Sequence, residues 1–364
     1  MANYLRDRLP VVLIATLLSS AVARVVNAAD DDALVGNFFP YRAFQQLPAT
    51  RIDVGGGALT VAFGPGELEL SRDSILAWVT RCVRAVADYY GRLPDPNARL
   101  LIVPTDRAGV RGGTTYGYHG AASRILLGRD TTQKQLSDDW VLVHELVHQG
   151  FPSVSDEHHW MEEGLATYVE PIARAQAGEL SVHKVWGDLV RGLPQGLPRD
   201  GDRGLDHTPT WGRTYWGGAL FYLLADVEIR RRTDNRRGLQ DALRAIVAAG
   251  GNIARYWPVE KVLAAGDKGT GTQVLAQLYD QMKDTPVNVD LTGLWRQLGV
   301  SVSGASVSFD DDAPLASIRS AITAARRSRP GTESGSPAPC ACAARPDRGS
   351  AAPASPCRHR PAAA

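Results

Sequence analysis

The chain has 364 residues, with 40 lysines and arginines against 39 aspartates and glutamates, so its formal net charge is +1. A nearly neutral chain lacks the basic excess that nucleic acids and anionic membrane surfaces attract, so neither is expected as a partner. About 300 residues remain once a leader and a biased tail are set aside, enough for two domains or one large two-lobed domain.

Residues 1–28 have the pattern of an export signal. Arg6 and Arg8 form a basic start, an apolar run follows at residues 11–18, and small residues stand before the expected cleavage site. The apolar run is short for a membrane span, and an uncleaved anchor is the alternative to a cleaved signal. We therefore expect an exported protein, periplasmic or extracellular, with no stable membrane span after signal cleavage.

A strand-rich lobe with one long helix is predicted for residues 29–136. Short alternating or apolar runs flanked by glycine and proline favour strands. Between them, apolar residues at helical spacing follow Ser71, a good N-cap residue, and Gly91 ends the pattern. Cys82 belongs to this apolar stripe and is predicted to be a buried thiol. The predicted strands are 58–63, 67–70, 99–104 and 124–128, and the predicted helix is 71–90.

The most informative stretch runs from Trp140 to His148, Trp-Val-Leu-Val-His-Glu-Leu-Val-His. On a helix, His144 and His148 project from one face about one turn apart, so both imidazoles can bind one tetrahedral metal ion, most simply zinc. Glu145 is rotated by roughly 100° from His144, where a carboxylate can take a proton from water without being a ligand. The apolar neighbours leave this polar triplet no solvated face, which argues against a chance match on an ordinary amphipathic helix.

A catalytic zinc site needs a third protein ligand and an open position. The pattern H-E-x-x-H-x-x-G-x-x-H does not fit, because Phe151 and Val154 stand at its glycine and its last histidine. His158 and His159 are nearby but are predicted to lie in a solvated loop. Glu163 is favoured, since it lies on a second predicted helix whose apolar residues recur at helical spacing.

The segment that begins Trp160-Met-Glu-Glu-Gly-Leu-Ala resembles the W-x-x-E-G-x-A motif of gluzincin peptidases, the clan of the aminopeptidase N and glycyl aminopeptidase families. The resemblance implies that Glu163 is the third ligand of a single zinc ion. Glu162 would point elsewhere on the helix. Glu170 lies on nearly the same face as Glu163, and two roles remain open for it: a carboxylate that orients a ligand histidine, or a surface charge.

Tyr215 begins a third motif. Tyr215-Trp-Gly-Gly-Ala is similar to the Y-x-x-G-A helix of the same families, most closely that of glycyl aminopeptidases. The resemblance implies that the Tyr215 hydroxyl hydrogen-bonds the oxyanion of the tetrahedral intermediate, an interaction that is often a large catalytic term. Without the resemblance, an aromatic ring packing on the core at a helix start is about equally expected.

One motif of the family is missing. Aminopeptidase N enzymes carry a G-A-M-E-N segment upstream of the zinc helix, and its glutamate binds the free amino terminus of the substrate. The comparable stretch here, residues 116–128, contains no acidic residue. Exopeptidase and endopeptidase specificity both remain open. His119 and Arg124 in this stretch are expected to face water on an edge strand.

The resemblance implies an α+β fold, a thermolysin-like two-lobed metallopeptidase domain with an N-terminal mixed-sheet lobe and a mainly helical C-terminal lobe. Zinc-binding helices are assigned to residues 137–180 and the helical lobe to residues 181–325. Asp206, in a loop of the helical lobe, is expected to face water. Residues 326–364 are too rich in Ala, Pro, Arg and Ser to bury a core, and their cysteines give no disulfide framework.

The sequence thus predicts an exported zinc-dependent peptidase that acts on peptide or protein substrates. Zinc and Glu145, the general base, would activate the attacking water, and Tyr215 would support the oxyanion. The alternative is a zinc-stabilised binding protein that keeps the peptidase scaffold without turnover. In that case His158 or His159 would fill the fourth position on the metal.

Overall fold

The computed structural model describes residues 40–325. The predicted export signal, residues 1–28, and the predicted tail, residues 326–364, lie outside the described residues. Between residues 40 and 325, no helix combines the length and the apolar character needed to cross a membrane.

Five strands form one mixed sheet, and two short strands form a hairpin near the end of the described chain: β1 (Ala49–Val54), β2 (Gly57–Phe63), β3 (Arg99–Thr105), β4 (Val110–Tyr116), β5 (Ala122–Gly128), β6 (Val300–Ser303) and β7 (Ser306–Phe309). The sheet order is β1-β2-β3-β5-β4. The three inner strands run parallel, whereas β1 and β4 pair antiparallel with their neighbours. A mixed sheet followed by a mainly helical region confirms the predicted α+β class.

Twelve α-helices accompany the strands: α1 (Ala43–Gln46), α2 (Arg72–Tyr90), α3 (Gln133–Asp138), α4 (Val141–His148), α5 (His159–Gln176), α6 (Val182–Gly192), α7 (Gly218–Arg232), α8 (Leu239–Ala248), α9 (Val259–Thr270), α10 (Val274–Met282), α11 (Leu291–Leu298) and α12 (Ala316–Thr323), counted within residues 40–325. A π-helical turn, Gly212–Gly217, leads directly into α7.

Helix α2 connects β2 to β3 and shares one apolar core with the inner strands. The Ser71 hydroxyl accepts a hydrogen bond from the Ser74 amide at its start, and Gly91, with a φ of 74°, ends it in the left-handed region. Trp78 and Cys82 are buried on the inner face. The predicted helix and its buried thiol are both confirmed.

Helix α4 carries the H-E-x-x-H motif and lies between β4, α2 and α5. The Asp139 carboxylate accepts hydrogen bonds from the amides of Val141 and Leu142, each at 3.1 Å, and so satisfies two donors of the first turn. Every residue from Leu142 to His148 is buried. The helix that holds the polar triplet is thus enclosed by the core, as its apolar flanks predicted.

Helices α5 and α7 approach each other at two glycines. A Cβ atom on Gly164 would lie 2.3 Å from the Cα atom of Gly218, and a Cβ atom on Gly218 would lie 2.3 Å from the carbonyl oxygen of Trp160. No side chain fits between two backbones at that distance. The contact brings the turn that carries Tyr215 against the helix that carries Glu163.

Two predictions about the sheet are wrong. Residues 67–70 form no strand. Gly66, with a φ of 123°, turns the chain away from β2, and the Glu69 amide then donates to the carbonyl of Arg129, which follows β5. The strand that contains Arg124 is not an edge strand, since β5 pairs with β3 on one side and β4 on the other. The edge on this side is β4, which the sequence did not predict.

Candidate metal centre

Two neighbouring helices bring His144, His148 and Glu163 together. The Nε2 atom of His144 lies 3.2 Å from Glu163 Oε2, and the Nε2 atom of His148 lies 3.6 Å from Glu163 Oε1. One ligand atom from each residue lies within 4.8 Å of the other two, and all three side chains are buried. The predicted ligand set therefore converges, from α4 and α5, on one point.

The donor set and its charge suit a divalent cation. Burial lowers the pKa of His148 to about 4, which leaves its imidazole neutral at pH 7. Burial alone would raise the pKa of Glu163, but the facing imidazoles of His148 and His144 lower it to about 2. A neutral imidazole and an ionised carboxylate are the forms that coordinate metal. Two nitrogens and one oxygen in a dry setting are the ligands of a catalytic zinc site.

His144 is held differently from His148. Burial lowers the pKa of its imidazole, but the hydrogen bond and charge of Glu163 outweigh burial and raise it overall. Without a cation the Glu163 carboxylate therefore favours a proton on His144. Metal binding and protonation compete for the same nitrogen, as in metal sites generally.

Glu145 points from α4 towards β4. The Thr115 hydroxyl lies 2.7 Å from the Glu145 Oε2 atom, and a Cβ atom on Gly113 would lie 2.4 Å from Glu145 Cγ. Burial raises the pKa of Glu145 to about 7, against the lowering effects of His144 and the Thr115 hydrogen bond. A carboxyl group with this pKa exchanges a proton readily near neutral pH, which suits a general base.

Tyr215 lies on the π-helical turn before α7. Its ring stacks on the His144 imidazole, with centroids 6.5 Å apart and planes inclined by 20°. Burial, the charge of Glu163 and a hydrogen bond to that carboxylate raise the pKa of the Tyr215 hydroxyl, which therefore stays protonated. π-helical turns often occur at functional sites. Here the turn is anchored by a buried ion pair, 2.8 Å long, between Arg213 and Asp202.

The alternative ligands His158 and His159 have other partners. His158 is buried rather than solvated, and its Nδ1 atom lies 3.1 Å from Asp206 Oδ1. The His159 Nδ1 atom lies 2.9 Å from Glu162, while its Nε2 atom lies 3.6 Å from Glu163 Oε1. Neither histidine belongs to the cluster of ligand atoms found within residues 40–325. The prediction that both lie in a solvated loop is wrong, because His158 is buried and His159 is the first residue of α5.

Asp206 was expected to face water, and this prediction is also wrong. Its carboxylate accepts hydrogen bonds from Trp160 Nε1 at 2.7 Å and from the Tyr279 hydroxyl at 2.8 Å, besides facing His158. These contacts tie the loop before the π-helical turn to the start of α5. Asp206 thus supports the helix that carries Glu163.

Glu170 is buried and pairs with Arg174, whose Nη1 atom donates to Glu170 Oε1 at 2.8 Å. Of the two roles left open, the surface charge is wrong because the residue is only 7% exposed. The described structure gives it no hydrogen bond to a ligand histidine. Its negative charge acts on His144 through space, where it raises the imidazole pKa.

Sequence reasoning missed Thr115 and Gly113. Both lie on β4, in a run of small polar residues without apolar alternation, so nothing in the pattern predicted a strand there. A residue that acts through a contact 30 positions away in the chain leaves no local motif.

No protein-family model matches the sequence, and no curated protein matches it. Solved structures do resemble the fold. An aminopeptidase N family protein from Idiomarina loihiensis has a TM-score of 0.54 at 14% sequence identity, over 71% of this chain and 50% of its own. An M1 zinc metallopeptidase from Deinococcus radiodurans has a TM-score of 0.45 at 17% identity, over 67% and 52%. A mutant of that metallopeptidase bound to a Tyr-Ser-Ala substrate has a TM-score of 0.46 at 16% identity, over 68% and 53%.

The chain spans about half the length of these solved structures. At 14% identity, the likeness to the Idiomarina protein is one of fold. Over 71% of its length the chain has a fold similar to that of this aminopeptidase N family protein. Within the described residues, two histidines and one glutamate converge on a candidate metal site.

Proposed function

We propose that this protein is a zinc-dependent peptidase of the gluzincin type. The observation that carries the proposal is the convergence of His144, His148 and Glu163 on one point, with the ionisable Glu145 beside them. The fold of an aminopeptidase N family protein supports the same conclusion, and so does the order of the three motifs along the chain. A thermolysin-like arrangement of two lobes around the site is part of the proposal.

His144, His148 and Glu163 would hold one Zn²⁺ ion. Bound there, zinc supplies a Lewis acid that acidifies water and polarises a carbonyl group. The buried ligands contribute a fixed, dry donor set with one net negative charge, from Glu163, which offsets part of the charge of the cation.

The side chains of Glu145 and Tyr215 carry out the remaining steps of the proposed reaction. Glu145 takes a proton from the water that attacks the scissile carbonyl carbon, and then gives that proton to the amine nitrogen as the C–N bond breaks. The Tyr215 hydroxyl donates a hydrogen bond to the oxygen that becomes negatively charged in the tetrahedral intermediate. The stacked His144 ring holds Tyr215 beside the site for this role.

A peptide substrate fits the edge of the sheet. On its outer side, β4 pairs with no other strand in residues 40–325, and its inner face touches Glu145. An extended chain can add to such an edge through main-chain hydrogen bonds. The residues of β4 include no carboxylate to bind a free amino terminus. We therefore propose peptide-bond hydrolysis without assigning it to one end of the substrate, in a protein exported to the periplasm or the extracellular space.

Glu145→Gln tests the proposal against a binding protein without turnover. Glutamine keeps the shape of the side chain but cannot accept the proton, so we expect kcat/KM on a peptide pool to fall by about 10²- to 10⁴-fold while zinc content is unchanged. Mass spectrometry of the digest gives the rate and the cleavage positions. If the wild-type protein holds zinc yet cleaves no peptide in the pool, the binding protein is the better account.

A further inference from the structure

Two exposed tryptophans flank the candidate site. The sequence contains eight tryptophans. Trp211 is 61% exposed and Trp140 is 54% exposed, whereas Trp216 is half-buried and the other five are buried. Exposing an indole forfeits the large gain that burying its apolar surface would bring. Trp140 and Trp211 differ in this from the other six tryptophans, which are buried or half-buried.

Their rings contact the residues of the proposed chemistry. The Trp140 ring stands edge-on to His144, with centroids 5.4 Å apart. The Trp211 ring stacks on Tyr215, with centroids 5.8 Å apart and planes inclined by 28°. Tyr215 in turn stacks on His144. Four rings thus form one chain of contacts, which we call the aromatic row: Trp140, His144, Tyr215 and Trp211.

The aromatic row has a metal ligand and an oxyanion donor at its middle and an exposed indole at each end. Because each indole contacts one of these two residues, a substrate carbonyl group held between His144 and Tyr215 would lie one ring away from Trp140 on one side and from Trp211 on the other. The indoles are uncharged and present apolar faces, so they favour apolar and aromatic side chains over charged ones.

We propose that Trp140 and Trp211 select peptide substrates with a large apolar or aromatic side chain next to the scissile bond. This inference rests on the proposed function, because it takes the scissile carbonyl to lie at the metal site. It goes further by naming the class of substrate and two residues that determine specificity.

The test compares two peptides that differ at one position next to the cleaved bond, phenylalanine in one and alanine in the other. We expect the wild-type protein to cleave the phenylalanine peptide with a kcat/KM about 10- to 100-fold higher. Trp140→Ala or Trp211→Ala should reduce this ratio, and the double variant should bring it close to one. Tyr118→Ala is the matched control, since Tyr118 is 72% exposed but its ring contacts His119 rather than the aromatic row.

A binding measurement separates this inference from the proposed function. Zinc-loaded Glu145→Gln protein is titrated with both peptides, followed by tryptophan fluorescence, with and without Trp211→Ala. Tighter binding of the phenylalanine peptide that depends on Trp211 supports the inference even if the wild-type protein cleaves neither peptide. A wild-type ratio near one, in cleavage and in binding alike, overturns it while leaving peptidase activity in place. The inference is also overturned if the ratio of kcat/KM between the phenylalanine and alanine peptides is unchanged in the double tryptophan variant.

Discussion

The proposed reaction depends on the ionisation of the Glu145 carboxyl group. Burial raises the pKa of this carboxyl group to about 7, and the Thr115 hydroxyl opposes that rise by donating to Oε2. Only the ionised carboxylate can accept a proton. Activity is therefore present above the pKa of Glu145 and is lost as the pH falls through it. A cation bound at the site would lower this raised pKa, so the acid limb of the rate profile is expected below about pH 7.

Thr115→Val tests this contact. The substitution keeps the shape of the side chain and removes the donor, so the ionised form of Glu145 loses a hydrogen bond and the pKa rises. We expect the acid limb of kcat/KM to move up by about one pH unit, the equivalent of one hydrogen bond to a charged group. The measurement is a pH profile of kcat/KM for both proteins. An acid limb at the same pH in both would contradict the assigned role of Thr115.

Tyr215→Phe tests the oxyanion donor. Phenylalanine keeps the stacking on His144 and removes only the hydroxyl group. We expect kcat to fall by about 10²- to 10³-fold, with KM nearly unchanged, because the hydrogen bond to the oxyanion forms in the transition state. Steady-state kinetics and a zinc titration separate these effects. A rise in KM at constant kcat would instead assign the hydroxyl to substrate binding.

At the residue scale the sequence predicted which three residues converge, but not the residues around them. His144, His148 and Glu163 stand in motifs with fixed spacing on helices, and helix geometry converts that spacing into a shared face. Thr115 and Asp206 reach the site from distant parts of the chain. Their roles depend on how β4 and the loop pack against α4 and α5, which spacing along the chain does not encode.

At the scale of elements, the glycine contact between α5 and α7 sets the position of Tyr215 relative to Glu163. It also gives physical reasons for two motif positions, since Gly164 follows the ligand glutamate and Gly218 is the glycine of Y-x-x-G-A. Each motif thus contains one residue with a proposed role in the reaction, Glu163 or Tyr215, and one glycine that lets the two helices pack closely. The sequence supplied the motifs, but only the structure shows that their glycines touch.

Gly164→Ala tests this contact. The added methyl group meets the Gly218 backbone, so the helices must separate or twist, and we expect a loss of about 1–3 kcal/mol in the free energy of unfolding. Tyr215 should move away from the metal site, so kcat should fall by more than the loss of folded protein explains. Chemical denaturation and kinetics on the folded fraction give both numbers. A variant as stable and active as the wild type would show that the helices are not held at this distance.

The helices were easier to predict than the sheet. Helices α2, α4 and α5 each have an apolar stripe or a cap that is visible in the sequence. Strand β4 contains Gly112, Gly113 and two threonines, and its pairing with β5 shifts between Val110 and Gly112. Such a strand is fixed by its neighbours rather than by its own pattern.

On the scale of the whole molecule, the described chain combines one mixed sheet, a pair of ligand-bearing helices and a mainly helical second part. The three converging side chains are buried, Asp206 ties its loop to the start of α5, and two indoles remain exposed. The chain spans about half the length of the solved structures it resembles. Every proposed ligand and donor lies among the described residues.

The zinc affinity of Glu163→Gln, measured by competition with a chelator against the matched variant Glu162→Gln, tests the central claim most directly. The two carboxylates are adjacent in the chain, but only Glu163 faces His144 and His148. We predict about one zinc per wild-type chain, unchanged binding in Glu162→Gln, and binding weakened by more than about a hundredfold in Glu163→Gln. Equal zinc affinity in the two variants would contradict the account.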